Sequence, residues 1–440
     1  MNNPILNVKS ISLSELFNDY NLAIPEYQRP YIWTKREIEK LLSQFSEHSN
    51  RLVEKGVKPN FYLGSIVLHN DGEKHNIIDG QQRLTTMQIL HLIKFDNSHN
   101  IKYSNPLSFK HIKENYNHFI SNEFNLIDFD LINVTIVETN SEDMAYNFFE
   151  TLNTGGKRLS GTDILKAHHL RSVKDNDERN SFALEWEKKQ KNLEKVNRML
   201  SKIRRMDYLK KHSFLPDKFT DDSRWKNVLT EDFAEKVKKD NRDIGYSFVE
   251  IEENTHKITA DKYAIRQPLN EGVNYINYLL NFTNDYNLLF VNEDDKKDKY
   301  SIFTKNIIDE IDGTVDLRSY YQLILLCFVD RFGRKNVFEF SLYLFRFLYS
   351  LRLNDKSRLY EATVRNFVED TKILERILNA FTYEEILNYL KDFNANVTTE
   401  NISGVKQRFF DRVNEVFDAT ITKENYNQDL IIAIEKYLNK

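Results

Sequence analysis

Asp79, Gly80, Gln81, Gln82 and Arg83 form one short polar stretch, and their side chains suit a phosphate-bearing ligand. A carboxylate such as Asp79 holds Mg²⁺ through one or two oxygens, or positions a water. Arg83 offers a planar fork that clamps phosphate oxygens in pairs, and Gln81 and Gln82 offer neutral hydrogen bonds. Two further clusters carry matching chemistry. Gln28 and Arg29 lie among Tyr27, Tyr31 and Trp33, where the arginine is a second phosphate ligand and the rings are candidates to stack on a base. Glu150 and Asn153 precede Asp163 and Lys166. Each cluster also has a plainer account. Asp79–Arg83 fits an ordinary polar turn, Asp163 a helix cap, and Lys166 a solvated helix face.

The elements expected to position these side chains follow from local pattern. His75–Ile78 reads as a strand and Gly80 as a tight turn. The segment to Phe95 reads as a helix burying Leu84, Met87, Ile89, Leu90 and Ile93. The first turn of such a helix leaves backbone N–H groups unpaired at the positive end of its dipole, which favours an anion there. Upstream, Ser12 or Ser14 caps a short helix through Phe17 to Tyr20, and Leu22–Pro25 is extended. Thr34 and Glu37 have capping-box spacing for a helix from Lys35 to Val53. Phe61–His69 is a strand, and Asn70-Asp71-Gly72 is a hairpin signal before His75. Residues 104–125 read as helix and Leu131–Val137 as strand. Ser141 caps a helix to Leu152 that Asn153–Gly156 terminates, and Ser160 with Asp163 opens another. Beyond residue 171 helical patterns dominate. Val337, Phe340, Leu344, Phe347 and Leu351 recur as one buried helix face, and Asp294–Lys299 reads as a surface loop.

Composition narrows the classes. With 440 residues, 40% hydrophobic, 30 Phe and 23 Tyr, the chain has ample material for sizeable cores. The net charge of −4 argues against a globally basic nucleic-acid coat. The single cysteine, Cys327, rules out an intramolecular disulfide framework or a multi-cysteine metal site, and its apolar neighbours make it a small core hydrophobe. MNNPILNVKS lacks a signal-peptide profile, and the apolar run at 323–329 is too short to span a bilayer. The expectation is a soluble cytoplasmic protein without a membrane partner.

Two negatives and one charge run add detail. Gly155-Gly156-Lys157 resembles part of a Walker A loop, but Thr151 stands where the first glycine must be. All 11 histidines lie at or before His256, so residues 257–440 cannot house a histidine-metal nuclease of the HNH type. Adjacent on a helix, His168 and His169 point in different directions, which predicts one partly buried and one exposed ring. Between Lys188 and Lys211 stand ten Lys/Arg against Glu194 and Asp207. Lys202, Arg204 and Arg205 in this run are candidates to grip a nucleic-acid backbone, and a solvated helix surface explains the run equally simply.

Three motifs in one order resemble a known family: Ile24-Pro25-Glu26-Tyr27-Gln28-Arg29-Pro30-Tyr31-Ile32-Trp33; Ile77-Ile78-Asp79-Gly80-Gln81-Gln82-Arg83-Leu84-Thr85; and Phe149-Glu150-Thr151-Leu152-Asn153-Thr154-Gly155-Gly156 leading to Leu159-Ser160 and Asp163–Lys166. The chain resembles the N-terminal domain of GmrSD-type restriction proteins, a domain also found in the defence proteins SspE and BrxU. The likeness is specific over residues 1–170 and continues weakly through the helical region, where Phe347–Arg352 matches. It implies an α+β architecture, a ParB/sulfiredoxin-like α/β domain over 1–170 and then a mostly helical region over 171–440, within which the charged Asp294–Lys299 stretch marks a sub-boundary near 290–300. It also implies nucleotide binding and hydrolysis. Asp79, Gln82 and Arg83 would be catalytic, with Mg²⁺ on Asp79. Gln28, Arg29, Tyr31, Trp33, Gly80, Gln81, Asn153 and Lys166 would bind the nucleotide. Family members couple nucleotide turnover to a nuclease in type IV restriction of modified phage DNA. Fused members carry a C-terminal HNH-like domain, which the histidine-free stretch here excludes, so a separate partner subunit would supply cleavage.

Three functions stay open at this level: an NTP-dependent regulatory or sensor subunit, a non-catalytic DNA-binding sensor or scaffold, and a self-contained nuclease. A homo-oligomer is compatible with each.

Overall fold

The computed structural model describes residues 5–54, 61–95, 101–103, 105–121, 128–152, 161–205, 222–252, 255–291, 298–309, 315–354, 359–398 and 403–439. They form two compact units. The first comprises 1–159 with 175–184, and the second 160–174 with 185–440.

The first unit is a five-stranded mixed sheet with helices on both faces. In chain order it contains β1 (Leu6–Ser12), α1 (Leu13–Asp19), β2 (Leu22–Ala23), α2 (Lys35–Glu54) and β3 (Phe61–Asn70). There follow β4 (His75–Asp79), α3 (Gln81–Phe95), α4 (Pro106–Ser121), β5 (Ile132–Thr139) and α5 (Glu142–Leu152). The strand order is β1-β5-β3-β4-β2, with β3 parallel to β5 and antiparallel to β4. Alternation along the strands sets the two faces. Ile66, Leu68, Ile77, Val134 and Ile136 join one core with Leu16 and Phe17 of α1, Ile38 and Leu42 of α2, Leu84 and Met87 of α3, and Phe119 of α4. Val67, Ile78 and Val137 are buried outside that core, and α5 packs across β3, β4 and β5.

Local signals account for most boundaries. Ser12 accepts from Glu15 N at 3.1 Å while Glu15 accepts from Ser12 N at 2.7 Å, the reciprocal capping box that starts α1. At α2, Glu37 accepts from both the amide (2.9 Å) and the hydroxyl (2.6 Å) of Thr34. Asp71 Oδ1 accepts from the amides of Glu73 and Lys74 and closes the β3–β4 hairpin. Met144 N donates to Ser141 Oγ at the start of α5. Strand β1 had no signal: Leu6, Val8 and Lys9 are exposed on the sheet edge, so no buried periodicity marks it.

The second unit is helical. Helix α6 (Gly161–Ser172) precedes the long α7 (Asn176–Arg204), whose first residues to Leu184 group with the first unit. Then come α8 (Asp222–Thr230), a hairpin of β6 (Tyr246–Glu252) and β7 (Thr255–Lys262), and α9 (Val273–Phe290). The remainder comprises α10 (Lys299–Phe303), α11 (Val315–Phe332), α12 (Val337–Tyr349), α13 (Glu361–Thr371), α14 (Ile373–Asn379), α15 (Tyr383–Asp392), α16 (Val405–Phe417) and α17 (Tyr426–Asn439). The α+β architecture of an α/β domain followed by a helical region is as expected, with the β6–β7 hairpin as an addition. Helix α12 buries Phe340 through Tyr349 without a break rather than along one face, because neighbours surround it. Cys327 lies fully buried on α11. The Asp294–Lys297 part of the expected loop lies outside the described residues, and Asp298 caps α10. No helix among the described residues is long and apolar enough to cross a membrane.

Candidate functional site

The centre of the site is the junction of β4 and α3. Gly80 has φ +96, a left-handed backbone that a side chain resists, and a Cβ there would meet Ile66 Cδ1 at 2.2 Å. The glycine lets the chain turn from strand into helix directly beneath Asp79. Leu84 N donates to Gly80 O at 2.9 Å, so the helix begins at the glycine and the amides of residues 81–83 have no partner within it.

The loop carrying Arg29 is latched to this junction at both ends. Gln28 Nε2 donates to Ile78 O at 2.9 Å. Gln82 donates through Nε2 to Pro30 O at 3.0 Å and accepts at Oε1 from Ile32 N at 2.9 Å. Those two bonds fix the orientation of the Gln82 amide, because Pro30 O can only accept and Ile32 N can only donate. The backbone of Arg29 is therefore held between two anchors on the β4–α3 turn. Its guanidinium is half-buried and makes no hydrogen bond or ion pair among the described residues.

Three side chains occupy the turn itself. Asp79 and Arg83 are each about a quarter exposed, with Arg83 Nη2 3.4 Å from Asp79 Oδ2. Arg83 also donates to Leu63 O and Ser65 O, both at 2.9 Å. Gln81 is 6% exposed, and its Oε1 is buried without a hydrogen-bond partner. An orphaned buried acceptor costs about 1–3 kcal/mol and marks a place where a donor belongs. The Asp79 carboxylate, a quarter exposed, is a hard oxygen donor of the kind that fits a Mg²⁺ taking its other ligands from water and phosphate. Among the described residues no group of three or more His, Cys, Asp or Glu could form a closed metal cage.

The aromatic residues of the loop are placed otherwise than expected. Tyr31 is fully buried: its OH lies 2.9 Å from Thr86 Oγ1 and accepts from Asn115 Nδ2 at 2.9 Å, and burial pushes the phenol up to about 12. Tyr27 is also buried and donates to Glu142 Oε1 at 2.6 Å. Neither ring presents a face for stacking. Trp33 alone of the three is half-buried, packed on the core with its carbonyl held by Asn115. Asn153 lies outside the described residues, as does the Glu150 side chain. Lys166 belongs to the second unit, where it is 2% exposed and paired with Glu187. Asp163, in the same unit, accepts from Gln190 Nε2 at 3.3 Å.

The basic run corrects a second expectation. Lys202 is buried, bonded to Tyr320 OH at 2.9 Å and Glu361 Oε1 at 3.1 Å. Burial holds its ammonium below the ordinary lysine range against the pull of Glu361. Arg204 donates to the carbonyls of Ile265 and Gln267 at 2.7 and 2.8 Å, and Arg205 grips Asp232 with two parallel bonds of 2.7 and 2.6 Å. Only Lys188 and Lys191 are exposed among the described cations of the run. Lys202 and Arg204 of α7, and Arg205 just past its end, cement the helical unit instead of facing a phosphate backbone, because each is bonded to carboxylates or carbonyls within that unit. His169 is likewise structural. Its Nδ1 accepts from Gly272 N at 3.1 Å, so Nε2 carries the proton and donates to Phe233 O at 2.6 Å. Burial holds it well below the ordinary histidine value. His168 is half-buried rather than exposed.

A strand-turn-helix of this sequence, latched to an arginine loop in a mixed α/β sheet, defines a class. Residues 13–170 match the model of the GmrSD restriction endonuclease N-terminal domain, and residues 178–406 match a family of unknown function (DUF7834). The chain thus belongs to the DUF7834 family and carries a GmrSD-type N-terminal domain in front of that region. No curated protein matches it.

Proposed function

We propose that this chain is an NTP-binding and NTP-hydrolysing regulatory or sensor subunit of a restriction-like anti-phage system acting on modified DNA, with cleavage supplied by a partner nuclease. The observation that carries the reading is that the loop bearing Arg29, whose guanidinium has no partner among the described residues, is latched to the same strand-turn-helix junction that carries the orphaned buried acceptor Gln81 Oε1. A nucleotide supplies what both lack: phosphate oxygens for the arginine and N–H or O–H donors for the glutamine. The open first turn of α3 adds backbone donors and a favourable dipole for an anion. Asp79 would hold Mg²⁺, which neutralises charge on the phosphates when bound, or orient the attacking water. Gln82 is buried and holds the loop and turn together through one donated and one accepted bond, so its part is positioning.

The matching domain is that of restriction endonucleases, which supports the defence setting and a DNA partner. The inward-facing basic run gives no support to α7 as a DNA grip. The test is a nucleotide-binding titration with Mg²⁺ followed by a phosphate-release assay on the full chain. Wild type binds and turns over an NTP. Asp79→Ala loses turnover, and Arg29→Ala loses affinity. Equal turnover by wild type and both variants refutes the site.

A further inference from the structure

Arg83 does not reach across the turn toward a ligand; it is seated in a socket on the neighbouring strand. Its Nη1 donates to Leu63 O and its Nη2 to Ser65 O, each at 2.9 Å, and these carbonyls flank Gly64. Gly64 has φ +115, and the register of β3 against β5 slips between Tyr62 and Gly64. A β-bulge of this kind re-aims the strand locally. A Cβ on Gly64 would lie 2.1 Å from Arg83 Nη1, so the guanidinium fills the space a side chain would take. From this seat Nη2 lies 3.4 Å from Asp79 Oδ2. Moving Arg83 onto a phosphate would strip the Leu63 and Ser65 carbonyls of this donor.

We infer that the Gly64 bulge and Arg83 form a positioning device: Gly64 makes the socket, Arg83 occupies it, and Arg83 thereby fixes the Asp79 carboxylate that faces the ligand. Its consequence for catalysis rests on the proposed function, but the socket itself does not. Arg83 acts on the reaction through Asp79, and Arg29 is the cation left for phosphate. Gly64, sixteen residues away from Gly80 in the chain, becomes a residue of the site without touching a ligand.

The test uses the full chain as wild type, Gly64→Ala, Arg83→Ala and the double variant. The first readout is thermal stability without any nucleotide. The socket predicts non-additive losses, because the clash of the new Cβ disappears with the guanidinium. Should Gly64→Ala fail to fold alone, recovery of folding in the double variant gives the same answer. Losses that add, or a double variant no more stable than Gly64→Ala, overturn the socket. The second readout is the Mg²⁺ and nucleotide dependence of turnover. Both single variants should raise the half-saturating Mg²⁺ roughly 10-fold, as loss of an outer partner of a metal ligand does, with KM for nucleotide within about twofold. A phosphate clamp would give the reverse, and that result overturns the positioning role. Failure of wild type to turn over any NTP refutes the proposed function, and the stability cycle then still judges the socket.

Discussion

The Asp79–Arg83 turn and the basic stretch of α7 look alike as sequence, since each is a dense run of polar and charged side chains. In the structure they differ in one respect. At the C-terminal end of α7 the cations of Lys202, Arg204 and the following Arg205 each meet a carboxylate or a carbonyl, and the ion pair of Lys202 with Glu361 is buried. Beside the turn, Arg29 makes no hydrogen bond or ion pair among the described residues, and Gln81 Oε1 on the turn is buried without a hydrogen-bond partner. Charge density is the weaker indicator of a site. What points to a ligand is an unfilled buried group beside a cation that has no partner among the described residues, since a buried orphan by itself also occurs on α7 at Asn197 Nδ2.

Four experiments sharpen or break that contrast. The largest effect belongs to α7. Glu361→Ala strands the buried Lys202 ammonium and should cost about 3–5 kcal/mol in a urea or guanidinium titration. Adding Lys202→Met should restore much of it, with nucleotide binding unchanged in the double variant. A stability loss under 1 kcal/mol would mean that the pair is solvated and the contrast overstated.

Next is a pH effect at Lys195. Its Nζ donates to Tyr286 OH at 2.8 Å and Gln322 Oε1 at 2.5 Å, and burial pushes the ammonium from 10.5 down to about 8. Below pH 8 the folded and unfolded chains are both charged, and the folded state bears the burial penalty in full. Between about pH 8 and 10.5 the unfolded chain keeps a proton that the folded chain has released, so stability attributable to Lys195 rises with pH. Relative to Lys195→Met, the wild type should gain up to about 3 kcal/mol across that window. A flat difference would show that the side chain is hydrated.

At the turn, Gln82→Glu puts an acceptor opposite Pro30 O. It should cost about 1–3 kcal/mol and release the Arg29 loop, weakening nucleotide binding as well. Unchanged binding would separate the latch from the site. The smallest effect on stability is expected for Arg29→Ala, within about 0.5 kcal/mol because no partner is lost. The same variant should lower nucleotide affinity roughly 10- to 100-fold, the worth of a charge-assisted hydrogen bond. A stable variant with full affinity would remove Arg29 from the site.

Much of the first unit was legible. Gly80 after an apolar strand, the Asp71-Gly72 hairpin and the capping box at Ser12 act over a few residues and appear where expected, while at Thr34 the structure shows only the half of the box in which Glu37 accepts from the Thr34 amide. Features that depend on tertiary partners were not. Tyr27 and Tyr31 stand in a polar motif and look like ligand-facing rings, yet Glu142, Thr86 and Asn115 satisfy their hydroxyls inside the fold. The direction in which α7 turns its cations is set by Glu361, Asp232 and the carbonyls of 265 and 267, all distant in sequence. Gly64 did leave a signal, a lone glycine inside a strand pattern, which often marks a bulge. Its relation to Arg83 was invisible without the register of β3 on β5.

The Gln82 latch also bears on the order of events in folding. Its two bonds join residues 50 and 52 positions apart in the chain, whereas α3 itself forms from neighbours. Long-range closure is the slow part of building a mixed sheet. The helix can be complete while the Arg29 loop is still loose. Binding of the proposed nucleotide should therefore appear in refolding with the last phase that restores the native sheet, later than the helical signal, so that the proposed site would report finished folding.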